Sequence, residues 1–220
     1  MNLLYLAQQT GSADHAQLLE YLALAEKELQ RASLITSQSL RFYKQSTRPQ
    51  AITCRELLKS VLDLYEGRAE NAHVSIERRE RSTAAIVCLE SEIRQVLNNL
   101  VRNAIDAMQG AAGEKTHRKP GGRLLIRTRE ATDWRSGVRG VMITIADTGS
   151  GISPTTMANI YKAFFTTKGV AGTGLGLWIS SEIVARHFGR LKVRSRERTS
   201  QHPGGTVFEL FLPLKGVISH

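Results

Sequence analysis

Cysteine is nearly absent from this sequence of 220 residues. Cys54 and Cys88 are its only two, and they have neither the close spacing of a metal site nor a redox motif. Both sit among apolar neighbours, so they read as reduced structural thiols. Long hydrophobic runs are missing too: no stretch approaches the roughly 18 apolar residues in a row that a membrane span requires. The chain does not open on a charged segment followed by an apolar core and a cleavage site. The expectation is a cytoplasmic protein, joined to a membrane only through upstream domains if at all. Acidic residues are in short supply, 20 against 30 lysines and arginines, for a formal net charge of +10. That excess favours polyanions, whether nucleic acid, acidic lipid or nucleotide phosphate, without choosing among them. Much of it lies in Lys115 to Arg139 and Arg186 to Arg198, which read as solvated basic faces.

What is present is a 41% hydrophobic chain long enough for one ordinary domain and a smaller element. Leu18, Leu22, Ala25, Leu29, Ala32, Thr36, Ser39 and Tyr43 recur in steps of four and three, the seam of a helical bundle. Leu3 to Ala7 reads as the tail of an earlier helix, which makes residues 1–46 a helical hairpin. Two helices cannot bury that seam from both sides, so a homodimer through the hairpin is expected. Ser46-Thr47-Arg48-Pro49 breaks the helix, because proline disfavours helical geometry in the residue before it, and the domain boundary falls here. In 47–220 the patterning predicts a strand near Ala51 to Cys54, a helix around Leu57 to Tyr65 and a strand at Val74 and Ile76. A strand over Ala84 to Leu89, a helix from Ser91 to Met108, and strands over Arg123 to Glu130 and Val138 to Asp147 follow. A loop, a helix from Leu175 to Phe188 and strands over Leu191 to Arg196 and Thr206 to Leu212 complete the chain. The fold class is α+β: an α/β sandwich whose mixed, largely antiparallel sheet is covered on one face by helices, preceded by the hairpin.

Three segments carry candidate chemistry. On the helix ending at Met108, Asn99, Asn103 and Asp106 follow one another at steps of four and three, opposite the apolar stripe. Asparagine forms helix poorly, and its amide oxygen can ligate Mg²⁺; an exposed polar face is the alternative. Asp147-Thr148-Gly149-Ser150-Gly151 ends a buried strand. A carboxylate there needs a donor, which an adenine amine supplies and guanine does not, though an ordinary turn fits as well. Gly172-Thr173-Gly174-Leu175-Gly176-Leu177 opens a helix, where free N–H groups and the helix dipole attract an anion; a flexible linker is the alternative. The segment lacks the Gly-Lys-Ser/Thr of a P-loop, and no strand runs into it as a dinucleotide fingerprint requires. Between the last two segments, Phe164-Phe165-Thr166-Thr167-Lys168 fits a lid anchored by its paired phenylalanines, with Lys168 meeting phosphate; ordinary core aromatics are the alternative.

In this order the segments resemble the nucleotide-binding motifs of histidine kinases. Gln95 to Ala104 is similar to the N box, Asp147 to Gly151 to the G1 box, Phe164 to Lys168 to the F box, and Gly172 to Leu177 to the G2 box. Gly204 to Pro213 is similar to the terminal strand of the same domains, and the match covers about residues 47 to 215. The resemblance implies the ATP fold shared by gyrase, heat-shock chaperone, histidine kinase and mismatch-repair proteins, with ATP or ADP and Mg²⁺ as ligands. It implies that Asn103 holds Mg²⁺, that Asp147 reads the adenine amine, and that Gly149 and Gly151 shape the base pocket. Gly172, Thr173, Gly174, Leu175 and Gly176 are implied as the lid hinge and phosphate-facing backbone, with Asn99 supporting the phosphates. A receiver domain of a response regulator is the implied partner.

The departures are also informative. ATP-hydrolysing relatives place a glutamate four residues before the metal asparagine as general base; this chain has Asn99 there, and an amide cannot take the proton. That glutamate's absence and the heptad hairpin argue against a DNA-associated ATPase, so nucleic acid is not an expected partner; a non-catalytic dimeric scaffold is the other alternative. Asp106 stands where many kinases carry lysine, and no phosphate contact is assigned to it. None of the six histidines, His15, His73, His117, His187, His202 and His220, has the neighbours of a phosphoacceptor. The expectation is a chain that starts just after that motif.

Overall fold

The structure, a computed structural model, describes residues 48–109, 121–169 and 172–216, with Leu19, Tyr21, Leu22 and Ala25 as separate helical positions. The expected hairpin and its dimer seam otherwise lie outside the described residues.

The first described strand, β1 (Gln50–Thr53), runs straight into helix α1 (Cys54–Asn71). The switch has a local cause. Thr53 Oγ1 accepts from the Glu56 backbone N–H while Glu56 Oε2 accepts from the Thr53 N–H at 2.9 Å, a capping box that satisfies two donors the first turn leaves free. Then come β2 (Val74–Glu80), β3 (Ala85–Cys88), the 20-residue helix α2 (Glu90–Gln109), β4 (Gly122–Thr132) and β5 (Arg139–Asp147). A four-residue helix α3 (Pro154–Met157) and helix α4 (Gly176–Arg186) precede β6 (Arg190–Arg196) and β7 (Gly205–Pro213). Sequence patterning does not resolve α3, although Ser153 as N-cap and Pro154 in the first turn are its signal.

Five strands form one sheet in the order β2-β4-β5-β7-β6, antiparallel except for the parallel pair β2 and β4. β1 and β3 stand apart as an antiparallel ribbon rather than joining that sheet. In the central strands every second side chain points into the core: Leu124 and Ile126 on β4, Val141, Ile143 and Ile145 on β5, and Phe208, Leu210 and Leu212 on β7. Against that face lies α2, flanked by α1 and α4. It buries Ile93, Val96, Leu97, Leu100, Val101, Ala104, Ile105 and Met108, a stripe too wide for a coiled-coil seam and suited to a sheet. The sandwich matches the fold expected from patterning.

Replacing Leu100, which is 0% exposed under the sheet, by alanine removes contacts that the neighbours cannot restore. The expected cost is about 2–5 kcal/mol, read in urea denaturation as a lower midpoint at unchanged slope.

Candidate functional site

Burying the apolar stripe of α2 sets which polar residues face outward, and it separates the three expected to share a face. Asn99 is 8% exposed and turned toward α4, where its Nδ2 donates to Ser180 Oγ at 3.0 Å. A Cβ on Gly176 would collide with the Asn99 amide, so the first turn of α4 sits directly on this side chain. The Asn99 amide nitrogen is therefore engaged within the protein, and an exposed polar face does not describe this position. One turn on, Asn103 and Asp106 stand at the helix edge and meet a single cation. Lys168 Nζ donates to Asn103 Oδ1 at 3.2 Å and to Asp106 Oδ2 at 2.5 Å. Asp106 Oδ1 accepts from Arg68 Nη2 of α1 at 2.7 Å. The loop that carries Lys168 is thus seated on α2 by charge.

Asp147 ends β5 and is 8% exposed. Its Oδ1 accepts from the Gly149 N–H at 2.8 Å, an aspartate turn that satisfies part of the carboxylate. Burial nevertheless pushes its carboxyl up to about 6, against the opposing pull of backbone hydrogen bonds from Gly149 and Thr206 and the charge of Arg198. The acid is still mostly ionised at neutral pH but held at a cost, and a further donor would favour its charged form. The loop after it rests on the last turn of α2: Ser150 N–H donates to Ala107 O at 3.0 Å, and a Cβ on Gly149 would come within 2.7 Å of Ala107 Cβ. Gly151 is held at φ +74, with the Arg196 carbonyl of β6 where a side chain would begin. These two glycines are required by packing inside the protein, a reason the base-pocket expectation did not include.

The glycine segment folds over the same helix. Gly174 takes φ +67 and lies on the backbone of Phe164 and Phe165, while Gly172 lies on Thr166 and the stem of Lys168. Thr173 Oγ1 accepts from the Leu175 N–H at 3.4 Å, and the Leu175 side chain is buried in the core, leaving only backbone at that position to meet a ligand. Helix α4 begins one residue later, at Gly176, with no side-chain cap, so its first N–H groups have no side-chain acceptor of that kind. Phe164 is 52% exposed at φ +66 and only Phe165 is half-buried, so a pair of anchoring phenylalanines is not what holds this loop. Val170 and Ala171 lie outside the described residues.

The structure thus gathers the motifs around the C-terminal half of α2: Gly149 and Ser150 on Ala107, Lys168 on Asn103 and Asp106, Gly176 on Asn99. Sequence reading misses four participants. Arg198 donates to the carbonyls of Thr148 and Gly149, and Ser195 Oγ accepts from the Ile152 N–H at 2.9 Å. Arg68 and Ser180 complete the contacts of Asp106 and Asn99. Arg198 sits in a run of basic residues that reads as surface, and nothing local marks the others.

The family model of histidine kinase-, DNA gyrase B- and HSP90-like ATPases matches residues 88–216. The sensor histidine kinase ZraS of Salmonella typhi is 30% identical over 212 residues, which are 96% of this chain and 41% of that protein. The chain spans about two fifths of the length of the curated relatives it matches, 41% in each of the first two. Among solved structures, the nucleotide-free catalytic domain of histidine kinase ThkA aligns with a TM-score of 0.62 and 25% identity, over 77% of this chain and 98% of that one. A longer ThkA chain, in complex with response regulator protein TrrA, aligns with a TM-score of 0.61 and 22% identity over 97% of this chain and 58% of that one, a likeness of fold.

A Gly151→Ala change places a methyl group against the Arg196 carbonyl at a strained φ. It is expected to cost about 3 kcal/mol or more. Gly137→Ala, at φ +69 with open space around it, is expected to cost about 1 kcal/mol. Thermal melts of the two variants distinguish steric need from backbone preference alone.

Proposed function

The chain belongs to the histidine kinase-, DNA gyrase B- and HSP90-like ATPase family, and from that premise we propose that it is the ATP-binding catalytic portion of a sensor histidine kinase. It takes the γ-phosphoryl group of ATP toward a histidine that this chain does not contain, and from there the group passes to an aspartate of a response-regulator receiver domain. Residues 47–220 are the catalytic domain and 1–46 the dimerisation element, so the working unit is a homodimer in the cytoplasm.

One observation carries the reading: a buried carboxyl, Asp147, ends the strand whose following turn rests through Ser150 on Ala107 of α2, the helix whose edge presents Asn103. Asp147 is suited to the adenine exocyclic amine, because a buried carboxylate gains from a donor and repels the carbonyl that guanine offers. Asn103 is suited to Mg²⁺, since its amide oxygen already faces a cation, the Lys168 ammonium. When bound, that metal neutralises phosphate charge. Of the glycine segment Gly172, Thr173, Gly174, Leu175 and Gly176, the Gly172 and Leu175 N–H groups already donate to Gly169 O at 3.3 Å and Thr173 Oγ1 at 3.4 Å, so the backbone at Thr173, Gly174 and Gly176 is the part suited to the phosphates at the start of α4. Asn99 holds that start in place through Ser180, a positioning role for the phosphate-binding turn.

The same geometry favours transfer over hydrolysis. Water needs a free base beside the γ-phosphate. The position one turn before Asn103 carries an amide engaged with Ser180, and Asp106 is occupied by Arg68 and Lys168. Bound ATP is therefore kept for a better nucleophile, and the protein contributes positioning and charge.

Titration should show ATP and ADP binding and GTP failing to bind. Asp147→Asn is expected to weaken ATP at least about tenfold with the fold intact, since hydrogen bonds to a charged group contribute about 1.5–3 kcal/mol. Unchanged affinity removes Asp147 from the base pocket. The pH dependence has a definite sign. A carboxyl raised to about 6 contributes stability that is full below the ordinary carboxylate range, near pH 4, and is lost as pH rises through 6. Adenine binding prefers the ionised form, so ATP affinity should climb over that interval and level off above it. Incubation with γ-labelled ATP should leave no acid-labile phosphate on this chain, whereas a supplied acceptor helix should gain one.

A further inference from the structure

The proposed metal position has a second oxygen that neither family motif nor sequence pattern assigned. Asn103 and Asp106 lie three residues apart on α2, so their side chains leave the helix on one side. Asn103 Oδ1 and Asp106 Oδ2 converge on one positive centre, Lys168 Nζ, at 3.2 and 2.5 Å. Arg68 holds the other oxygen of Asp106 at 2.7 Å, which fixes the carboxylate with one oxygen turned to the shared cation. A lysine ammonium is a compact point charge that takes oxygen partners, and in this respect it stands in for a hard divalent ion.

We propose that Asn103 and Asp106 together form one cation place, occupied by the Lys168 ammonium in this structure and taken over by the divalent metal that accompanies the nucleotide. The inference rests on the ATP-binding reading and assigns Asp106 within it. Electrostatics requires some cation there in both states, because a carboxylate facing a triphosphate across an unfilled gap repels it. Arg68 neutralises the side of Asp106 away from that gap. The exchange also couples metal to lid. Lys168 donates its backbone N–H to Thr166 Oγ1, and its stem with Thr166 forms the surface on which Gly172 lies. Displacing the ammonium therefore removes the charged tie between Lys168 and α2, and the released charge can follow the phosphates.

The test uses the full chain, with ATP binding followed calorimetrically across a Mg²⁺ series and Mn²⁺ binding followed by paramagnetic resonance in the presence of ADP. Asp106→Asn is expected to raise the Mg²⁺ needed for half-maximal ATP binding by about tenfold or more and to weaken the Mn²⁺ signal. Its affinity for ATP in chelator should be equal to or higher than that of the unaltered chain, because a negative charge near the phosphates is gone. Lys168→Met should move the Mg²⁺ requirement the opposite way, since the competing cation is lost. An Asp106→Asn protein with an unchanged Mg²⁺ requirement, or a Lys168→Met protein with a higher one, overturns the shared place while leaving ATP binding standing. An unaltered chain that binds no ATP at any Mg²⁺ concentration overturns the functional reading, and this inference with it.

Discussion

Burial of one face of α2 beneath the sheet is the constraint from which the rest of the site follows. Ile93, Val96, Leu97, Leu100, Val101, Ala104, Ile105 and Met108 are all withdrawn from water, and apolar burial on this scale leaves the helix no freedom to rotate about its axis. With rotation fixed, Asn103 and Asp106 come to the helix edge, Asn99 turns in against α4, and Ala107 becomes the seat for the turn after Asp147. Each of the three neighbours then meets a surface too close for a side chain: Gly149 on Ala107, Gly176 on Asn99, Gly172 on Thr166. The glycines are placed where backbone must approach α2 or the loop that α2 holds.

Charge is organised around that helix in two different ways. At Asp147 a single carboxyl is buried next to backbone donors, so its ionisation costs free energy that a ligand donor can offset. At Asp106 a carboxylate is matched twice, by Arg68 and by Lys168, in a partly exposed position where ion pairs contribute little to stability. The first arrangement is suited to recognition of a neutral polar group. The second is suited to exchange of cations, because neither partner is held by burial. Of the excess of positive charge along the chain, which pointed only to some polyanion, Lys168 is spent on the edge of α2 and Arg198 on the carbonyls of the turn after Asp147.

Patterning alone recovers the strands of the sheet and the three long helices, though α1 runs on past Tyr65 to Asn71 and β2 past Ile76 to Glu80, because periods of two and near four follow from which face is buried. It misses α3, a single turn too short to show a period, and it does not reveal that β1 and β3 pair apart from the main sheet. The candidate residues were legible through the order of four motifs rather than through any one of them. Arg68, Ser180, Ser195 and Arg198 were not legible, since each reaches its partner across a long separation, 38 residues for Arg68 and Asp106 and 81 for Asn99 and Ser180.

The order of residues along the chain was sufficient to determine most elements, the sandwich class and a set of candidate side chains, since these rest on local periodicity and on residue chemistry. Only tertiary structure decided how those side chains divide the work. It put Asn99 into an interhelical contact, set Gly151 against a distant carbonyl, and brought a loop lysine onto an amide and a carboxylate one turn apart. Such contacts join segments far apart in sequence, and they exist only once packing has closed the distance between them.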